Sequence, residues 1–90
     1  MSIEITHVRY GSTPKTEQAI SHYKWRGNES SETGSSDKPT LVEWVEDGGS
    51  AHVGSGATRV DVAVVNASPK YLRTHADGTW TNNLTSLPEF

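Results

Sequence analysis

The stretch Asp37-Lys-Pro-Thr-Leu-Val-Glu-Trp-Val-Glu-Asp-Gly-Gly49 holds the one good helix of the chain, and it decides the fold class. Leu41, Trp44 and Val45 recur at i, i+3 and i+4, which makes a single apolar stripe. Asp37 or Ser36 can accept from the exposed amides as N-cap, and Pro39 suits the first turn. Gly48 and Gly49 tolerate the left-handed cap and stop the helix. The reading is a helix over 38–47, with Glu43 and Glu46 facing outward.

Outward from this helix the pattern is β. Ile3 to Tyr10 is rich in β-favouring residues, and Ala19 to Arg26 reads as a second strand after a Pro14-containing loop. A hairpin with Ile3 opposite Trp25 and Ile5 opposite Tyr23 gives one apolar face. It leaves Glu4 opposite Lys24 and Thr6 opposite His22 on the polar face. Gly27 to Asp37 has no apolar residue and reads as a mobile loop. Gly49 to Ala57, which carries His52, reads as a Gly, Ser and Ala loop. Thr58 to Val65 alternates as a third strand, and Lys70 to Thr74 makes a short fourth. Ala76-Asp77-Gly78-Thr79 is a tight turn. Leu84 and Leu87 pin an irregular tail. Trp44 and Trp25 read as core, and Trp80 as exposed.

The order is β, β, α, β, β, with room for a fifth short strand. The fold expected is α+β: a small two-layer domain over 1–90, with a mostly antiparallel sheet of four to five strands and one helix across it. A chain of 90 residues with 32% hydrophobic residues buries a thin core. A homo-oligomer is therefore expected.

Charge and composition close several function classes. The formal charge is -3, which argues against a general nucleic-acid-binding surface. There is no cysteine, hence no disulfide framework, thiolate zinc site or cysteine nucleophile. The start of the chain has neither a basic nor an apolar leader region, and no apolar run approaches the roughly 20 residues that span a bilayer. A cytoplasmic setting is expected. The four histidines stand in four different segments without metal-ligand spacing, so no metal site is expected. Gly49 to Ser55 lacks the Gly-Lys-Ser/Thr ending of a phosphate loop, and no Gly-x-Ser-x-Gly elbow occurs. The expectation is a non-enzyme with no catalytic residues and no cofactor.

The two ends of the chain carry a resemblance. Ile5-Thr6-His7-Val8-Arg9 opens it. Lys70-Tyr71-Leu72-Arg73-Thr74-His75-Ala76-Asp77-Gly78, then Asn82-Asn83-Leu84 and Leu87-Pro88-Glu89-Phe90, close it. Together they resemble a family of short bacterial and phage proteins known as domain of unknown function 3892. Its members tend to begin Ile-Thr-His-Val and to end with Tyr-Leu-Arg, Asp-Gly, Asn-Leu and Leu-Pro. The central helix ending in Gly, here Leu41 to Gly48, is also similar. The resemblance implies a bacterial or phage origin and a cytosolic setting, and supplies no activity. This chain departs from it in the loops at 27–37 and 49–57.

Between positions 70 and 83 stand Lys70, Tyr71, Arg73, His75, Asp77, Trp80, Asn82 and Asn83. Cations, rings and carboxamides together suit an anionic or nucleotide-like ligand, because arginine forks onto phosphate and aromatic faces stack on bases. The same residues can equally make turns and cover the core. The ligand-binding set expected is Lys70, Tyr71, Arg73, His75, Asp77, Trp80 and Asn82, in a small binding module able to sequester a signalling molecule. The alternative is a protein-interaction module that masks a host factor. It would act through Glu43, Glu46 and Asp47 on the helix and the acidic loop bearing Glu29, Glu32 and Asp37.

Overall fold

Asp37 is the helix N-cap: its Oδ1 accepts a hydrogen bond from the Thr40 amide at 2.9 Å. The Thr40 side chain first, and this amide second, hold the Asp37 carboxyl below its ordinary value. The computed structural model describes residues 2–54, 56–76 and 78–90. Helix α1 spans Lys38–Glu46, with proline in its first turn, and Gly48 follows at φ 107. Its most buried residues are Leu41 and Val42, while Trp44 and Val45 pack at the margin of the core. The inward stripe is thus turned slightly from the one read in the sequence.

The strands are β1 Ser2–Tyr10, β2 Ile20–Gly27, β3 Thr33–Asp37, β4 Ser50–Val53, β5 Val60–Val65, β6 Tyr71–Ala76 and β7 Thr79–Thr81. They form one sheet in the order β3-β2-β1-β4-β5-β6-β7. Among the described residues the fold is α+β with one α-helix, and the sheet has seven strands instead of four to five. All neighbours are antiparallel except β1 and β4. A parallel neighbour needs a crossover. Helix α1 supplies it, carrying the chain from the β3 edge to β4 at the sheet centre.

Two segments read as loops are strands. Thr33–Asp37 pairs with β2, with Gly34 opposite Trp25. An edge strand needs no apolar residue of its own when a neighbour's ring covers it. The Trp25 ring does so, and a Cβ at position 34 would come within 2.7 Å of it. Ser50–Val53 lies against Ser2–Glu4, with Ala51, His52 and Val53 all buried. Its small residues look loop-like alone, and the parallel pairing makes it a central strand.

The hairpin register also differs. Ile5 pairs with Trp25 and Ile3 with Gly27, two residues from the expected alignment. A shift of two keeps every side chain on its face. Glu4 therefore stays outside, but pairs with Arg26 at 2.7 Å instead of with Lys24. A bulge between Ile5 and His7 then inserts one residue, so that Val8 points inward after Ile3 and Ile5. Beyond β4, the open side of β1 is filled by the tail. The Val8 amide donates to the Pro88 carbonyl at 3.0 Å, and the Phe90 amide donates to the Val8 carbonyl at 3.2 Å. The opening Ile5–Arg9 motif and the closing Leu87–Phe90 motif are thus adjacent in space.

The core joins Ile3, Ile5, Val8, Ile20 and Tyr23 of the first hairpin to Leu41 and Val42 of α1. Val62, Leu72 and Leu84 close it from the other half of the sheet. Tyr23 is fully buried, hydroxyl included. Burial pushes its hydroxyl well above the ordinary tyrosine value, an effect the Leu72 backbone only partly offsets. The unfolded chain ionises near pH ~10 while the folded one keeps its proton. The contribution is therefore intact below that pH and lost as pH rises above it. Tyr23→Phe should flatten the alkaline loss of stability above pH ~10, read by urea denaturation at stepped pH. An unchanged alkaline slope would contradict the buried placement of this hydroxyl.

Candidate functional site

Alternation along β6 sends Leu72 and Thr74 into the core and Tyr71, Arg73 and His75 to the opposite, solvent-facing side. The chain reverses through Gly78, whose φ of 76 suits a glycine. The reversal lays Trp80 directly opposite His75. The two rings meet edge to face at 4.8 Å and 74°. Trp80 is 40% exposed, the one large hydrophobic side chain presented to solvent among the described residues.

Arg73 is held beside this pair. Its Nε donates to the Thr81 carbonyl at 3.1 Å and its Nη2 to the Asn82 Oδ1 at 2.8 Å. A guanidinium has five N–H donors, so three lie outside these two bonds. On the inner side, the Thr74 hydroxyl accepts from Thr81 Oγ1 at 2.7 Å and from the Asn83 amide at 3.1 Å. These bonds fasten the end of β7 to β6 and fix where Trp80 and Asn82 sit.

The seven residues expected to form a site divide accordingly. Tyr71, Arg73, His75 and Trp80 share one face, with Asn82 at its edge as the acceptor for Arg73. Lys70 points elsewhere: its Nζ donates to Glu46 of α1 at 2.6 Å. Asp77 lies outside the described residues.

Sequence reasoning missed what this face adjoins. Register sets Arg26, Glu4, His52, Asp61, His75 and Trp80 side by side across six strands. His52, read as a loop residue, is buried in the middle of this row. Its Nε2 lies 2.7 Å from the Asn28 Nδ2, which can only donate, so Nε2 accepts. Nδ1 then carries the hydrogen and donates to the Gly54 carbonyl at 2.8 Å. This network makes His52 a satisfied residue that ties Asn28 to β4. Asp61, opposite His75, is exposed and loosely paired with Arg59 at 3.7 Å.

A second feature was also hidden from the sequence. Trp25 and Trp44, both read as core, are half-buried and line a cavity between α1 and the β2–β3 edge. Only the pairing of β3 beside Trp25 creates it, and no spacing in the chain announces that pairing.

A family model described as a protein of unknown function, DUF3892, matches residues 4–88. No curated protein and no solved structure matches the chain.

Proposed function

Since this chain belongs to the DUF3892 family, a family of unknown function, its role has to be read from its own surfaces, and we propose a non-enzymatic binding module for a small anionic or nucleotide-like ligand. The ligand lies against Tyr71, Arg73, His75 and Trp80. The observation that carries this reading is Arg73, oriented by Thr81 and Asn82 beside the exposed Trp80 ring. A fixed guanidinium fork recognises phosphate or carboxylate, and an exposed indole stacks on a flat ring. Lys70, engaged by Glu46, plays no part in this version of the site. In a bacterial or phage setting, inside the cytoplasm, such a module would sequester a signalling molecule. It would act as a homo-oligomer, which native mass spectrometry reads directly.

Calorimetric titration with a panel of nucleotides and cyclic dinucleotides tests the reading. At least one should bind saturably, and Trp80→Ala should weaken it about tenfold or more, the worth of one stacked base. Arg73→Lys, which keeps the charge and loses the fork, should weaken it as well. Absence of binding to every member up to millimolar concentration would sink the proposal.

The second reading, a protein-interaction module masking a partner, rests on the outer face of α1. Glu43 and Asp47 are exposed and make no salt bridge among the described residues, although Glu46 is drawn to Lys70. Partner capture that survives Trp80→Ala and fails on reversal of Glu43 would favour it.

A further inference from the structure

Between α1 and the β2–β3 edge lies a cavity of about 190 Å³. Its walls are Trp25 of β2, Trp44 and Leu41 of α1, and Ile3 of β1. Three polar residues complete it: Ser36, Thr40 and Glu32. Among the described residues, Glu32 is the single charged group in the lining, and no Lys, Arg or His is part of it.

Both indoles are held before any ligand arrives. Trp25 Nε1 donates to the Ser36 Oγ at 3.3 Å, and its ring lies against the Cβ-less Gly34. Trp44 packs against Gly49, where any Cβ would collide with the ring. Glu32 uses its backbone for its hydrogen bonds: the amide donates to Ser30 Oγ at 3.2 Å, and the carbonyl accepts from the Gly27 amide at 2.8 Å.

Indole faces attract cations and repel anions, and a carboxylate does the same. A strongly hydrated ammonium would lose its water to apolar walls. A methylated one carries little water to lose and fills them. The volume is below the roughly 300 Å³ at which pockets for drug-sized ligands begin, so it suits one headgroup with a short arm. We infer that this cavity binds the quaternary ammonium group of a free small molecule of the choline type. The site is separate from the Arg73–Trp80 surface, which lies on the other face of the sheet.

The test follows the three indole N–H signals in proton–nitrogen correlation spectra of the whole chain, assigned with single Trp→Phe variants. Choline should shift the Trp25 and Trp44 signals saturably and leave Trp80 unmoved. Dimethylbutanol, choline's neutral isostere with a quaternary carbon in place of nitrogen, should bind about tenfold more weakly or worse. Glu32→Gln, an exposed change away from the core, should weaken choline about fivefold with the spectrum otherwise unchanged. Equal binding of choline and its isostere would reduce the cavity to an apolar hole and overturn the inference. So would silence of both signals up to roughly 50 mM choline. Phosphatidylcholine vesicles should leave the protein in the aqueous fraction, and co-sedimentation would overturn a free ligand in favour of a lipid surface. Because Trp80 reports on the other face, failure of either site leaves the other visible.

Discussion

Leu72→Ala is expected to destabilise the fold by about 2–5 kcal/mol. Leu72 is fully buried between Tyr71 and Arg73, where β6 turns its inner side toward α1 and the first hairpin. Truncation removes transfer free energy and leaves a cavity that the surrounding strands cannot close. Backbone hydrogen bonds hold β6 to β5 on one side and to β7 on the other. A chain of 90 residues has a total stability of about 5–13 kcal/mol, so one such change removes a large fraction of it. Urea denaturation should show a lower midpoint at an unchanged slope. Leu87→Ala, at a half-buried position on the tail, should cost about 1 kcal/mol or less and serves as the control. A loss below about 1 kcal/mol at Leu72 would mean that the two halves of the sheet do not share a packed interior.

What the sequence disclosed and what it hid follow from how each element is stabilised. Helix α1 was legible because its signals are local: Asp37 before it, Pro39 in its first turn and Gly48 after it. The strands β1, β2, β5 and β6 were legible because each carries its own apolar alternation. Strands β3 and β4 were not, because their signal lies in a partner. Thr33–Asp37 is a strand because β2 offers it a free edge and a Trp25 ring. Ser50–Val53 is a strand because α1 delivers it beside Ser2–Glu4. The bulge at Thr6 is legible in hindsight from the break in spacing between Ile5 and Val8. At the candidate site, alternation puts Tyr71, Arg73 and His75 on one face only once the strand is known to run on through His75 to Ala76, beyond the Lys70 to Thr74 read from the sequence. Alternation could not foretell that Lys70 turns to Glu46, nor that the two remaining tryptophans frame a cavity.

Thr74→Val tests how that face is held together, and its expected cost is about 2–4 kcal/mol. The substitution conserves shape, so it leaves no cavity and its effect is the hydroxyl alone. The Thr74 Oγ1 accepts from Thr81 Oγ1 and from the Asn83 amide, and its own hydrogen is shared between the Thr81 carbonyl at 3.0 Å and the Asn83 Oδ1 at 3.3 Å. Valine abolishes all of these bonds and strands two donors in a part of the molecule that water reaches poorly. Each buried polar group left unsatisfied costs about 1–3 kcal/mol. Thr74→Ser keeps the hydroxyl and loses one methyl, for about 1 kcal/mol, so it should restore most of the difference. Urea denaturation of the two variants side by side separates hydrogen bonding from packing. The consequence reaches the surface, because this hydroxyl anchors Thr81 and Asn83 on either side of Asn82, and Arg73 depends on both Thr81 and Asn82. Thr74→Val should therefore weaken ligand binding at Arg73 and Trp80 while leaving the Trp25–Trp44 cavity unaffected. A variant within about 0.5 kcal/mol of the parent would show that β7 is fastened by its backbone alone, and that Arg73 is oriented by something other than this hairpin.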